Sequence, residues 1–258
     1  MTRCCLTTLA AGLCGVATLA AAPETPSPPA SIPPASGPES SAAPGSAASL
    51  VPFSAHYVAQ WKSINVGTSD LELERGAQRG AYHYKWTVSA RGIFRLVYSN
   101  DVVQQSWFTL IDQHVRPERY FAEDGSSSVS LQFDWDGKRL RGTSEGRPVD
   151  IHLKPGTQDL MSIQVEVMMD LQSGDMPGTF HIVEKDAMKD FLYAREGTAR
   201  IGTALGTLDT VIVSSRRAGN DRILRMWFAP SLGYVPIQAE RTRDGKLEFA
   251  MRIKTLKH

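Results

Sequence analysis

Cysteine is scarce in this chain and confined to one place: Cys4, Cys5 and Cys14 all fall within the first 22 of 258 residues. Everything after them is free of disulfides, thiolate metal sites and cysteine nucleophiles. A charge excess is missing as well, since the net charge is +1 and the leader contributes only Arg3. Nucleic-acid binding draws on a basic surplus, so no nucleic-acid partner is expected.

Closely spaced histidines are also lacking. His56, His83, His114, His152, His181 and His258 are each more than five residues from the next, so zinc-type ligand spacing does not occur and no metal is expected. His83 and His181 fall on the polar phase of their strands, where exposure to solvent is expected. There is no G-x-S-x-G elbow, no G-x-G-x-x-G and no P-loop spacing, so no cofactor is expected. Ser126 to Ser128 lie in a polar turn, and Ser162 with Asp159 reads as helix capping. Asp134 with Asp136, and Glu72 with Glu74, are two apart, which places each pair on one solvated strand face and not across a cleft. The chain reads as a non-enzyme.

What is present begins with a leader. MTRCCLTTLAAGLCGVATLAAA has a basic start, an apolar stretch from Leu6 to Leu19 and small alanines after it, the layout of a cleaved signal peptide. The stretch is short for a bilayer span of about 20 residues, so residues 1–22 are read as a signal peptide, with no stable membrane span after its removal and a periplasmic destination. Residues 23–49 are almost wholly Pro, Ala, Ser and Gly and read as a disordered linker. Residues 50–258 form a single β-rich domain, large enough for its own core.

Within it, alternation of period two dominates. Tyr82, Tyr84, Trp86 and Val88 alternate with His83, Lys85, Thr87 and Ser89; Val129, Leu131, Phe133 and Trp135 repeat the pattern, as do Leu247, Phe249, Met251 and Ile253. Such segments are antiparallel strands with one covered face. Asp136-Gly137, Glu145-Gly146, Ala218-Gly219-Asn220 and Asp244-Gly245 mark the turns. A dozen or more strands are too many for a flat sheet, so a strongly curled antiparallel sheet, barrel-like or half-barrel, is expected.

One segment, DLMSIQVEVMMDLQSG, has Leu160, Ile163, Val167, Met168 and Leu171 at helical spacing. Asp159 is placed to cap it and Gly174 to end it, giving one amphipathic helix that plugs or covers the sheet. The aromatic strand faces supply the candidate cavity lining: Trp86, Phe133, Phe180, Phe228 and Phe249.

Tyr57-Val58-Ala59 followed by a turn at Gly67, the helix start Asp159-Leu160-Met161-Ser162, Leu205-Gly206-Thr207-Leu208-Asp209-Thr210, Trp227-Phe228-Ala229-Pro230 and Val235-Pro236-Ile237 resemble the exported bacterial family known as domain of unknown function 3108. Met161 stands where the resemblance would have leucine, a volume-conserving change. That family implies a curled sheet wrapping a helix, similar to periplasmic lipoprotein carriers, and no activity or site residues. Locally, Gly206 and Gly233 suit tight turns, Pro236 an edge or a bulge, and Asp209 a turn. The resulting expectation is a periplasmic binding module for an apolar, lipid-like ligand or a partner segment. The alternative is an envelope interaction protein with a solid core, with an envelope hydrolase a distant third.

Overall fold

The computed structural model describes residues 50–96, 99–175 and 177–258; the expected signal peptide and linker lie outside them. The first half of the domain is a run of hairpins: β1 (Phe53–Trp61), β2 (Ile64–Arg75), β3 (Ala81–Ala90), β4 (Val102–Ile111), β5 (His114–Glu123), β6 (Ser128–Asp134), β7 (Arg139–Ser144) and β8 (Arg147–His152). Helix α1 (Ser162–Ser173) follows. The second half is β9 (Thr179–Glu184), β10 (Ala187–Thr203), β11 (Gly206–Arg217), β12 (Arg222–Ala229), β13 (Val235–Arg243) and β14 (Lys246–Lys257).

All fourteen strands join one antiparallel sheet in the order β8-β7-β6-β5-β4-β3-β2-β1-β14-β13-β12-β11-β10-β9. Each strand pairs with its chain neighbour, and the two halves meet where β1 pairs β14. The sheet curls without closing, as its length requires. Its free edges, β8 and β9, are the strands joined through α1. Between them Gln158 makes a parallel bridge to Ile182, and the β7–β8 turn meets the β9–β10 turn through Lys185–Glu145 at 2.7 Å and Arg147–Asp186 at 3.6 Å.

Turn chemistry follows backbone sterics. Asp244 and Gly245, at φ 48° and 71°, and Glu145 and Gly146, at 53° and 75°, form the expected two-residue hairpin loops with positive φ. Lys62-Ser63 and Asp112-Gln113 make the same turn without glycine, at φ 45°, 69°, 50° and 66°. Gly67 is not a turn residue. It lies inside β2 opposite Ala90, and a Cβ there would stand 2.0 Å from the Ser89 carbonyl oxygen, so glycine lets two backbones approach. Pro236 resolves as a bulge: β13 is internal to the sheet, and its register with β12 shifts where Phe228 faces Pro236. Asp209 is no turn residue either; it is exposed in β11 opposite Arg200.

The helix departs from the amphipathic expectation. Ile163, Val165, Val167, Met168, Met169 and Leu171 are buried, and so are Ser162 and Glu166, so little of its circumference meets water. It fills the concave side of the sheet at the rim where β8 ends and β9 begins. Its N-terminus is sunk to mid-sheet, where Asp159 Oδ2 accepts from Ser106 Oγ of β4 at 2.6 Å. At its other end Gly174 takes the left-handed conformation, a glycine C-cap, and Gln172 reaches the Gly233 carbonyl.

Candidate functional site

The inner face divides at the helix N-terminus. Beside the helix, one cross-strand row runs Tyr84, Ser106, Tyr120, Leu131, Gly142 and Val149, and all of its side chains are buried. Tyr84 Oη reaches Gln164 and Tyr120 Oη donates to Gln104. Burial holds both phenols far above their ordinary titration range. The adjacent row, Trp86, Gln104, Ala122, Val129 and Ser144, lies one pleat farther from the helix. Trp86, Gln104 and Ala122 are only half-buried there. Trp86 Nε1 donates to Ser69 Oγ at 2.6 Å, and Ser69 Oγ to Met251 Sδ at 3.4 Å, which ties β3 across β2 to β14. Phe249 follows on the same phase as Met251 and faces Arg241, which faces Leu224; Phe249 and Leu224 are also half-buried. The inner face beyond the helix is therefore apolar and partly open to solvent.

At that far rim the same face carries charge. Glu248 Oε2 accepts from Arg222 Nε and Arg241 Nε, each at 3.1 Å. Glu184 Oε2 accepts from Lys189 Nζ at 2.5 Å and Arg217 at 3.0 Å. Burial, with the neighbouring positive charge of Arg222, pulls the Arg241 pKa down against the pull of Glu248. Ser144 Oγ, buried on the inner face, has no hydrogen-bond partner among protein groups.

The five aromatic residues singled out from the sequence do not share one cavity. Phe228 is fully buried core. Phe133 packs on Trp135 with centroids 6.0 Å apart, and Phe180 meets Tyr193 edge-on at 5.4 Å. Trp86 and Phe249 lie on the half-buried part of the inner face beyond the helix, while Phe180, also half-buried, lies at the start of β9 on the helix side. The arginines beside them carry no spacing signal, because they come together only through register. Two clefts lie elsewhere. One of about 260 Å³ opens between Val51, Met168, Leu232 and Val235 at the helix rim, and one of about 280 Å³ between Trp107, Arg119 and Gln132 on the outer face. Both fall below the ~300 Å³ at which small-molecule sites begin. The outer face also corrects an expectation: His83 stacks on Trp107 at 4.7 Å and its side chain is only 21% exposed. Arg119 covers the same indole at 4.5 Å.

His114, Glu166 and Asp170 bring ligand-type atoms within 4.8 Å of one another. Both Glu166 oxygens are already engaged, Oε1 with His114 Nδ1 at 2.8 Å and Oε2 with the Val115 amide at 2.6 Å. That arrangement is an ion pair that clamps helix to sheet, and its residue types are also those of a metal site.

The chain belongs to the family described as "Protein of unknown function (DUF3108)", whose model matches residues 56–252. No curated protein matches it. Among solved structures it is similar to a beta-barrel-like protein of the domain of unknown function DUF1849 from Brucella abortus, at 13% identity and a TM-score of 0.55, covering 81% of this chain and 98% of that one. A candidate lipoprotein from Parabacteroides distasonis aligns at 8% identity and a TM-score of 0.37, over 80% and 95% of the two chains. A candidate exported protein with a YmcC-like fold from Bacteroides fragilis aligns at 6% identity and 0.35, also over 80% and 95%. The Brucella structure shares the curled fold and carries no function across. Among the described residues no helix is long and apolar enough to cross a membrane.

Proposed function

We propose that this protein is a non-enzymatic binding module of the bacterial envelope, exported to the periplasm, that holds an apolar ligand on the part of its concave face the helix leaves free. The observation that carries this reading is a contrast along one face. Tyr84, Ser106 and Tyr120, in the row at the helix start, are fully buried, whereas Trp86, Phe249 and Leu224, on the inner phase of their strands beyond it, are only half-buried. An apolar inner face left partly in water is stabilised by a ligand that covers it, at about 25 cal/mol per Å². The leader and the proline-rich segment support export. Native mass spectrometry of the protein purified from periplasm is expected to show a bound apolar mass lost on organic extraction. Protein that is ligand-free, and that binds no added amphiphile, would sink the reading.

A second reading, an interaction domain with a solid core, is favoured by the all-round burial of α1 and by one free edge. β9 covers β10 only as far as Leu192, so Ala194 to Thr203 present their outer edge to a partner strand. Site-specific cross-linking from Thr198 in intact cells distinguishes it, by giving one discrete adduct.

A further inference from the structure

We propose that the ligand of the concave face is an acidic amphiphile, whose carboxylate or phosphate is received by Arg222 and Arg241 while its acyl chain lies along Leu224, Phe249 and Trp86. The inference rests on the binding-module reading and adds the ligand's chemical class.

Register places three arginines on adjoining strands of one face. Leu224 faces Arg241, Arg222 lies two residues from Leu224 on the same phase, and Arg217 ends β11 one step beyond the Arg216–Ile223 pair. Like charges on neighbouring strands are destabilising unless something compensates them. Compensation here is incomplete. Arg222 and Arg241 share the one carboxylate of Glu248, Arg222 reaching both of its oxygens, and Lys189 and Arg217 share that of Glu184, so each cluster has two cations to one anion. At the rim Arg243 pairs with Asp221 at 3.2 Å and Asp244 is also close; these groups are exposed and screened by solvent and salt, so they offset the buried excess little. Arg241 and Arg222 are only 11% and 16% exposed, so their excess charge is poorly hydrated and a further anion is favoured. The depressed Arg241 pKa has the same physical origin.

The chemistry of the anion follows from the guanidinium, a planar fork that matches carboxylate and phosphate oxygens. A free small anion would leave the neighbouring surface uncovered, because the residues flanking the arginines on this face are Leu224, Phe249, Met251 and Ala239. Head and chain together match both halves of the site.

The test is a titration of the full exported chain, followed by tryptophan fluorescence and native mass spectrometry. Its probes are oleate, lysophosphatidylglycerol, oleyl alcohol and inorganic phosphate. At least one of the two acids should bind about tenfold or more tightly than the alcohol, the scale of one charge-assisted hydrogen bond, and whichever acid binds better names the source of the head group. Arg241→Met should remove that preference, and Glu248→Gln, which frees both guanidiniums, should tighten acid binding severalfold and leave the alcohol unchanged. A packing role alone would not produce opposite signs in the two variants, and melting curves establish that each is folded. Equal binding of acid and alcohol overturns the inference while leaving the binding module standing. So does phosphate binding as tightly as lysophosphatidylglycerol, or unchanged acid affinity in both variants. If no amphiphile binds, both readings fall.

Discussion

Ser106 Oγ donates a 2.6 Å hydrogen bond to Asp159 Oδ2, and through it β4 holds the carboxylate that starts the helix. The other carboxylate oxygen accepts from the Met161 and Ser162 amides, each at 2.8 Å, while Ser162 Oγ accepts from the Asp159 amide at 2.9 Å. The exchange is a reciprocal cap moored to the sheet, and it sets how deep α1 sits. Asp159→Ala removes the cap and orphans Ser106, so a loss of about 2 kcal/mol is expected in urea unfolding. Asp159→Asn keeps an acceptor for both amides and should be far milder. Equal losses in the two variants would mean that the hydrogen bonds are not what positions the helix.

The same residue predicts a pH dependence. Burial raises the Asp159 pKa to about 6 from an ordinary 3.8, and burial with Glu166 and Asp175 raises Asp170 to about 6. The folded state therefore holds protons that the unfolded chain releases, so stability is greatest below about pH 4 for these groups and declines as pH rises to about 6. For Asp159 the decline is about 3 kcal/mol. His114 acts in the same direction at higher pH. Its hydrogen bond and charge contact with Glu166 raise its pKa, so its contribution is complete below about 6.5 and is lost as pH climbs through the folded value. Asp124, held low by turn hydrogen bonds from Ser126 and Ser127 despite its burial, and Glu196, held low by Arg225, oppose this only as pH falls below about 4. Melting temperature should therefore be higher at pH 5 than at pH 8. Asp159→Asn should flatten the profile between pH 4 and 6, and His114→Ala the part above it.

At Gly67 the expected outcome is severe. A methyl group there meets the Ser89 carbonyl oxygen at 2.0 Å, and backbone on both sides cannot yield as a side chain would. Gly67→Ala should cost about 3 kcal/mol or more and appear as lost soluble yield or a much lower melting temperature. A variant with the parent's melting curve would show that β2 and β3 can separate freely at this point.

These residues also show what the chain discloses before it folds. The alternation in Tyr82 to Val88 and Leu247 to Ile253 identified strands, and Asp244-Gly245 identified a hairpin, because period and turn sterics are local. Lys62-Ser63 and Asp112-Gln113 gave no warning, since without glycine their positive φ is imposed by the strands they join. Gly67 looked like punctuation, and its close neighbour Ser89 is identifiable only once β2 and β3 are paired. The helix was recognisable from its spacing. Its all-round burial was not, because Glu166 reads as a solvated charge until His114 and Val115 are placed against it. The arginine cluster was wholly hidden: Arg222, Arg241 and Glu248 lie 7 to 26 residues apart and meet only through the register of β12, β13 and β14.

The seam between β8 and β9 supports a last prediction. Its edges are joined near the far rim by Lys185–Glu145 and Arg147–Asp186, all four side chains at least a third exposed, and near the helix by the two backbone hydrogen bonds of Gln158 with His181 and Val183. Exposed pairs contribute at most about 1 kcal/mol each and are screened by salt, whereas the Gln158 bridge is buried and salt-insensitive. The seam should thus be weakest at the rim where the ligand face is open. Hydrogen exchange at the β7–β8 and β9–β10 turns is expected to quicken between 0.05 and about 0.5 M salt, with little change at Gln158 or Val183. Lys185→Ala should reproduce the effect at low salt and lower global stability by less than about 1 kcal/mol. Uniform protection along both edges at every salt concentration would show that the sheet is held shut by backbone and core alone, and that a ligand must enter elsewhere than through this seam.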